Sequence, residues 1–429
     1  MQTKSSFGKQ FIEKLSVFST VISSNKYIAA VRDAFASTIP LTIVASFFVL
    51  VNNLLLQPET GLLKGIPGRA ILSEIGIQAY NGTLGILGIV VTFLIGYRLA
   101  RAYGLEGPIE GAIALGCYLA LVPNQISIPS ITGKTVTVTS ALTQTYTSAT
   151  GMFLGIIAAL ISTTIMIKVI KSGKFKIKMP DSVPPAIANS FNGLFPAFLV
   201  ILLFSAVEVI VRHSTGVDVP ALVVKLLQAP LIGGFQNYWG ILLYTFLTCF
   251  VFAFGVHGPF VFGAVSGPVL FTSLQQNIDA IQAGHAAPNI VTQPFIDCYV
   301  YITMISLVIA LFIGSKRKDN RLIAKVGAVP AIFNISEPLM FGLPIVFNPI
   351  FAIPYCIVPL FSTTIAYVAS SLHFVDPSYV VVPWVTPAVL SGYLTTGGDI
   401  RASILQIIII TVGVFIYLPF VIAANRTKV

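Results

Sequence analysis

A carboxylate with room to act sits at Glu337, inside Pro330-Ala-Ile-Phe-Asn334-Ile-Ser336-Glu337-Pro338-Leu-Met-Phe-Gly342-Leu-Pro344-Ile-Val-Phe-Asn348-Pro349-Ile350. That run is otherwise apolar and is broken by prolines and a glycine. A carboxylate can accept hydrogen bonds from two hydroxyls, or take a proton from one as a general base. Pro338 lacks an N–H and frees a carbonyl for the same neighbourhood. Asn334 and Ser336 add an amide and a hydroxyl. An ionisable group in lipid costs a few kcal/mol or more and is functional by default. Broken backbone at membrane depth survives only where protein or a water-filled cavity surrounds it. The stretch reads as an intramembrane site for a polar solute. The plainer alternative is an interfacial or helix-capping glutamate beside the basic residues of 316–325.

Two further groups of residues could share that chemistry. In Phe252-Ala-Phe-Gly255-Val-His257-Gly258-Pro259, an imidazole flanked by glycines can approach a ligand closely and exchange a hydrogen bond with a hydroxyl. The alternative is a structural histidine at a helix break. The remaining histidines (His213, His285, His373) show no ligand spacing, so no metal is expected. In Val382-Pro383-Trp384-Val385-Thr386-Pro387, the indole offers a flat apolar face with one N–H, suited to the C–H face of a sugar ring. It could equally anchor at the membrane interface. Thr386 adds a hydroxyl. Asp399, after Gly397-Gly398, is expected to cap the last helix, with Arg401 as its partner or, alternatively, facing phosphate. Asn81 and Gly82 could add an amide to the cavity or form a bare turn. Asp297 and Asn289 lie in a polar stretch and carry little functional weight on sequence alone.

The elements that must position these groups are membrane helices. Of 429 residues, 55% are hydrophobic and 9% charged, against roughly 25% charged in a soluble domain. Apolar segments follow one another to the C-terminus, which is the pattern of an all-α polytopic membrane protein. The breaks exclude an alternating outer-membrane barrel. Expected spans are about 28–56, 82–100, 109–122, 147–170, 192–213, 239–256, 258–274, 298–315, 348–371 and 403–424. The third and seventh are short and could be re-entrant hairpins. With ten crossings, Lys4, Lys9 and Lys14, then Arg98 and Arg101, the lysines of 171–178, the bases of 316–325, and Arg426 with Lys428 all fall on the cytoplasmic side. The formal net charge of +10 is therefore a topology signal and not a nucleic-acid one. Arg212 and His213 are the exception. Four single cysteines without a CxxC exclude a redox motif. Residues 7–24, within segment 1–26, look like an amphipathic interfacial helix. The basic linker near 171–185 divides an aliphatic scaffold, 27–180, with Thr-rich loops at 135–150, from a solute domain, 181–429, that holds most of the polar and helix-breaking signals.

Together, Phe-Gly-Val-His257-Gly, Asn334-Ile-Ser-Glu337-Pro, Phe341-Gly-Leu-Pro344-Ile-Val-Phe-Asn348-Pro, Pro383-Trp384-Val-Thr-Pro387 and Gly398-Asp-Ile-Arg401-Ala resemble the enzyme IIC of the bacterial phosphoenolpyruvate-dependent sugar phosphotransferase system. The lactose, cellobiose and diacetylchitobiose branch is the most similar. The resemblance runs along nearly the whole chain, in order. It implies a homodimer of ten-span subunits in the bacterial cytoplasmic membrane, with an N-terminal dimerisation domain and a C-terminal sugar-binding domain that moves as a body. It implies a disaccharide 6-hydroxyl near Glu337, with His257 close by. It also implies a phosphoryl donor on the phosphocysteine of a separate IIB protein, itself served by IIA; no cofactor is expected. The family motif usually carries Asn before the Glu; here Ser336 puts a hydroxyl where the amide would be. A rival reading is a proton-coupled secondary sugar carrier, in which Glu337 and His257 are proton sites.

Overall fold

The computed structural model describes residues 25–58, 61–129, 135–175, 180, 185–255, 257–343, 345 and 348–426. The expected helix at 7–24 lies outside these residues, as do Lys4, Lys9, Lys14, Lys176, Lys178, Pro344 and Lys428.

The described residues are mostly helical. In order come α1 Lys26–Ser37, α2 Ile39–Leu50, α3 Arg69–Asn81, α4 Leu87–Ala102, α5 Pro108–Leu121, α6 Met152–Ser172, α7 Pro185–Thr215, α8 Val219–Gln236, α9 Tyr238–Ala253 and α10 Gly258–Gln282. There follow α11 Gln293–Gly314, α12 Lys318–Ile332, α13 Glu337–Gly342, α14 Pro349–Ser371, α15 Leu390–Thr395 and α16 Ile400–Ala424. Among the described residues eight helical stretches are long and apolar enough to cross a membrane, and α5 and α9 are shorter apolar helices.

Contacts divide the chain into two compact units. One takes Ser24–Thr42 and Asn81–Leu231. There α4 packs on α5 and α6, α1 on α4, and α7 on α5 and α6. Its core is apolar, with Cys117, Tyr118, Leu154, Ala158, Met166 and Val200 buried. Local signals start the helices: Asn25 caps α1 by accepting from the N–H groups of Tyr27 and Ile28, and buried Glu110 accepts from the Gly107 N–H at 3.0 Å ahead of α5. The Thr-rich stretch is not all loop. Gln125–Pro129 and Thr135–Thr139 pair antiparallel, Gln125 opposite Thr139 and Pro129 opposite Thr135. Alternating Thr and Val over 135–139 is strand periodicity, which outweighs the loop composition.

The other unit takes Ile43–Tyr80 and Ile232–Val429. There α9 packs on α14, and α14, α11 and α15 all pack on α16. Its helices are irregular. Within α11, a π turn at Ile296–Val300 is followed by a 3₁₀ turn at Tyr301–Thr303; α14 contains Pro354 and Pro359. Two expectations about length change. The seventh span, read as ending at 274, runs on to Gln282. Its polar continuation is buried because it is bonded: Asn277 donates to the carbonyls of Asn289 (2.8 Å) and Ser378 (2.9 Å) and accepts from the Asn289 N–H (2.8 Å). The basic stretch 316–325, read as a loop, enters α12 at Lys318, with Asn320, Ala324, Gly327 and Ala331 buried along one helical face.

Candidate functional site

A tight reversal after α12 builds the first part of the site. Ile335 N–H returns to the Pro330 carbonyl at 3.0 Å. Asn334 takes φ 59°, a left-handed conformation that asparagine tolerates better than most residues. Its amide nitrogen donates to the carbonyls of Trp384 (2.7 Å) and Thr386 (3.3 Å). The first and third expected constellations are therefore joined by one side chain. The Asn334 Oδ1 atom is buried and has no hydrogen-bond partner among the described residues, an acceptor of the kind that usually has an explanation.

Ser336 occupies the cap position of α13 and does so through its backbone: its carbonyl accepts from Leu339 (3.0 Å) and Met340 (2.9 Å), and its hydroxyl makes no capping bond. Glu337 opens α13, with Pro338 next in the first turn, where a missing N–H costs nothing. The structure describes Glu337 through its backbone. What fixes α13 is the burial of Leu339, Met340 and Leu343 in a cluster that also holds Phe252, Tyr355 and Tyr417.

The same cluster reaches the second constellation. Phe252 stacks at a tilt on the His257 ring, centroids 5.0 Å apart, and edge-on to Tyr355 at 5.9 Å. The half-buried His257 precedes α10 at φ −64°, ψ 99°, and its carbonyl accepts from Val261 N–H at 3.3 Å. Gly258 is required here. A Cβ on it would stand 2.1 Å from the Thr248 carbonyl oxygen, so only glycine lets α10 start this close to α9. One apolar cluster thus supports both the Glu337 helix and the segment that carries the imidazole.

The Trp384 loop is held from beneath. Thr386 N–H closes a turn on the Pro383 carbonyl at 2.8 Å, and the Trp384 side chain is 52% exposed. Fully buried Gln406 in α16 ties the chain that follows. Its Oε1 accepts from Val389 and Gly392 N–H, both at 2.8 Å; its Nε2 donates to the Cys298 carbonyl (2.6 Å) and the Ser391 hydroxyl (2.8 Å). Asp399 caps α16 as expected, accepting from Arg401 N–H and Nε at 2.9 Å, while Arg401 also reaches Asp376 at 3.3 Å. Burial works to raise the Asp399 carboxyl, but the bonds from Arg401 and from the Arg401 and Asp376 amides outweigh it and hold it below the usual range. Gly397 has φ 71°, and a side chain there would collide with the Tyr379 hydroxyl.

Asn81 and Gly82 belong to the other compact unit, where Asn81 accepts from Gln144 at 3.3 Å. Asp297, set aside on sequence, sits half-buried in the π turn of α11 and accepts from Gln293 at 3.0 Å. An intramembrane carboxylate in a π turn is a functional candidate, and its position in an apolar span was the available signal. Among the described residues no group of three His, Cys, Asp or Glu side chains could hold a metal ion.

Known proteins resemble this chain along most of its length. The family model for the phosphotransferase system, EIIC, matches residues 32–359. The lichenan permease IIC component of Bacillus subtilis (strain 168) is 34% identical over 416 residues, covering 95% of this chain and 91% of that protein. A cellobiose-specific EIIC component of Geobacillus stearothermophilus is 32% identical over 417 residues, covering 95% and 92%. Among solved structures, the transporter ChbC, the IIC component from the N,N'-diacetylchitobiose-specific phosphotransferase system, superposes with TM-score 0.89 at 30% identity, covering 97% of this chain and 98% of its own.

Proposed function

The chain belongs to the phosphotransferase-system EIIC family and is a multi-pass membrane protein, and from that premise we propose that it imports a β-linked disaccharide of the cellobiose, diacetylchitobiose or lactose type while a separate phospho-IIB protein phosphorylates it. The observation that carries this reading is the Asn334 side chain bonded to the Trp384 and Thr386 carbonyls. It ties the segment that precedes Glu337 to the loop that carries Trp384.

In this reading the sugar rests its C–H face on Trp384 and bonds Asn334, Ser336 and Thr386. Glu337 orients the 6-hydroxyl and takes its proton; His257 bonds the same region. The hydroxyl oxygen then attacks the phosphorus of a IIB phosphocysteine, forming the P–O bond as the P–S bond breaks and the thiolate leaves. Such transfer is mostly positioning and charge stabilisation. The product is a dianion that does not recross the bilayer. Residues 27–180 serve as scaffold and dimerisation domain, and 181–429 as the moving sugar domain. Two copies form a homodimer of ten-span subunits with re-entrant hairpins, with N- and C-termini in the cytoplasm beside IIB and IIA.

Uptake of labelled β-linked disaccharides into vesicles, with and without IIA and IIB, tests this. The internal product is expected to carry phosphate, and accumulation is expected to need phospho-IIB. Accumulation of unmodified sugar without IIB, abolished by collapsing the proton gradient, would replace it with the secondary carrier.

A further inference from the structure

Three lysines in the unit formed by 24–42 and 81–231 gather near two tyrosines, with no acidic partner among the described residues. The Nζ of Lys26 lies 4.2 Å from the centroid of the Tyr103 ring, and the Nζ of Lys171 lies 5.1 Å from the same centroid. Tyr27 packs edge-on against Tyr103 at 6.3 Å. The Thr164 hydroxyl is 3.4 Å from the Tyr27 hydroxyl, and exposed Lys168 lies one turn further along the same helix. Thr164, Lys168 and Lys171 are spaced four and three residues apart, so they form one stripe of α6. Among the described residues none of the three lysines makes an ion pair with a carboxylate.

The arrangement needs a counter-charge. Two ammonium groups share one ring, which attracts each but leaves their repulsion in place. Lys26 is also the first residue of α1, where the helix dipole disfavours a cation. The simpler account, lysines extending to water from the ends of apolar helices, covers Lys171 in the last turn of α6. It gives no reason for Lys26 and Lys171 to meet on one ring.

Three apolar spans end here together. Lys26–Leu50 starts at Lys26, Arg69–Ala102 stops one residue before Tyr103, and Ala149–Ser172 stops after Lys171. Aromatic belts and lipid headgroups occupy that level of a membrane. The floor is apolar and fixed, with Ala30, Leu99 and Ile167 buried and Tyr27, Tyr103, Leu105 and Leu160 packed on them. Deeper on the Thr164–Lys168–Lys171 stripe, Ile161 is 47% exposed, an apolar surface for an acyl chain. We propose that Lys26, Lys168 and Lys171, with the Tyr27 hydroxyl and the Tyr103 ring, bind the phosphate of an anionic phospholipid headgroup. Assigning that lipid to the cytoplasmic leaflet rests on the orientation proposed above; the binding itself does not.

The test uses the full-length protein in detergent, with phosphatidylglycerol or phosphatidylcholine added. Bound lipid is counted by native mass spectrometry and thermal unfolding is followed in parallel. Phosphatidylglycerol is expected to be retained and to raise Tm, and phosphatidylcholine to do neither. Each Lys→Gln change is expected to weaken retention about fivefold, and the triple change Lys26→Gln/Lys168→Gln/Lys171→Gln roughly a hundredfold. Tyr103→Phe should keep the preference and Tyr103→Leu should reduce it. Because the lysines are exposed, the triple variant should melt in phosphatidylcholine like the parent. Undiminished phosphatidylglycerol retention by the triple variant, or equal retention of both lipids by the parent, would overturn the proposal. So would an equal Tm rise from inorganic phosphate alone, which would mark a site for a free anion. None of these readouts depends on orientation, IIB or transport.

Discussion

The two compact units meet the same backbone requirement in opposite ways. In the 81–231 unit, regular helices such as α4 and α6 satisfy their own peptide groups, and the core between them is apolar. In the unit from 232 onward the helices break repeatedly, and side-chain amides and hydroxyls take over the bonds that broken helices release. Gln406 alone serves Val389, Gly392, Cys298 and Ser391. Gln236 holds Val291 by both its carbonyl and its N–H, at 2.6 and 2.8 Å. The lesson is that buried polar side chains in this membrane protein gather where helices break and leave backbone groups to be satisfied.

The largest expected effect tests the solute side. Glu337→Gln should lower phosphoryl transfer from phospho-IIB about a thousandfold, the range of a lost general base, and weaken sugar binding. Phosphorylation in membrane vesicles measures the first, and an unchanged rate would leave Glu337 with a structural role. Next comes the contrast between polar cores. Gln406→Leu strands the Val389 and Gly392 N–H groups and the Cys298 carbonyl, and should cost about 3 kcal/mol by thermal unfolding. Thr92→Val in α4 removes a hydroxyl bonded only to its own helix, at the Gly88 carbonyl, and should cost under about 1 kcal/mol. Comparable losses would erase the distinction drawn here.

Glycines extend the comparison. Gly258→Ala forces a methyl toward the Thr248 carbonyl and should destabilise by about 1–3 kcal/mol. Gly116→Ala in α5 has nothing within 4 Å of the new methyl and should stabilise by about 0.5–1 kcal/mol. The smallest effect is electrostatic. The Arg317 side chain, 3.1 Å from Asp319 through Nε, holds that exposed carboxyl at about 2. A lowered carboxylate contributes above its ordinary value and loses that contribution as pH falls through its folded one. Arg317→Gln should return the carboxyl toward 3.8 in an NMR titration, with Tm at neutral pH hardly moved, because exposed pairs contribute little.

Much of this was legible in the residues. The apolar runs read from composition are largely helical where described, but 28–56 divides into two helices and a π turn, and the apolar span Val219–Gln236 is not among the ten. The Asp399 cap with Arg401 was readable from the glycines and the charge pair. The juxtaposition of Asn334 with Trp384 and Thr386 was not, because fifty residues separate partners that meet only through α12 and the Pro383 turn. The end of α10 was misjudged for a similar reason. Gln276 and Asn277 look like an exit from lipid until Asn289 and Ser378 are seen to bond them. The hairpin at 125–139 was hidden by threonines that serve strands as well as loops.

The clasps that hold the broken unit together are amides and alcohols: Gln236, Asn277, Asn289, Asn334, Gln406, and Thr292 with Ser378 at 2.6 Å. None of these groups gains or loses a proton between strong acid and strong base. As the surroundings of a cell sour, these clasps keep their bonds, and the broken helices they hold keep their places.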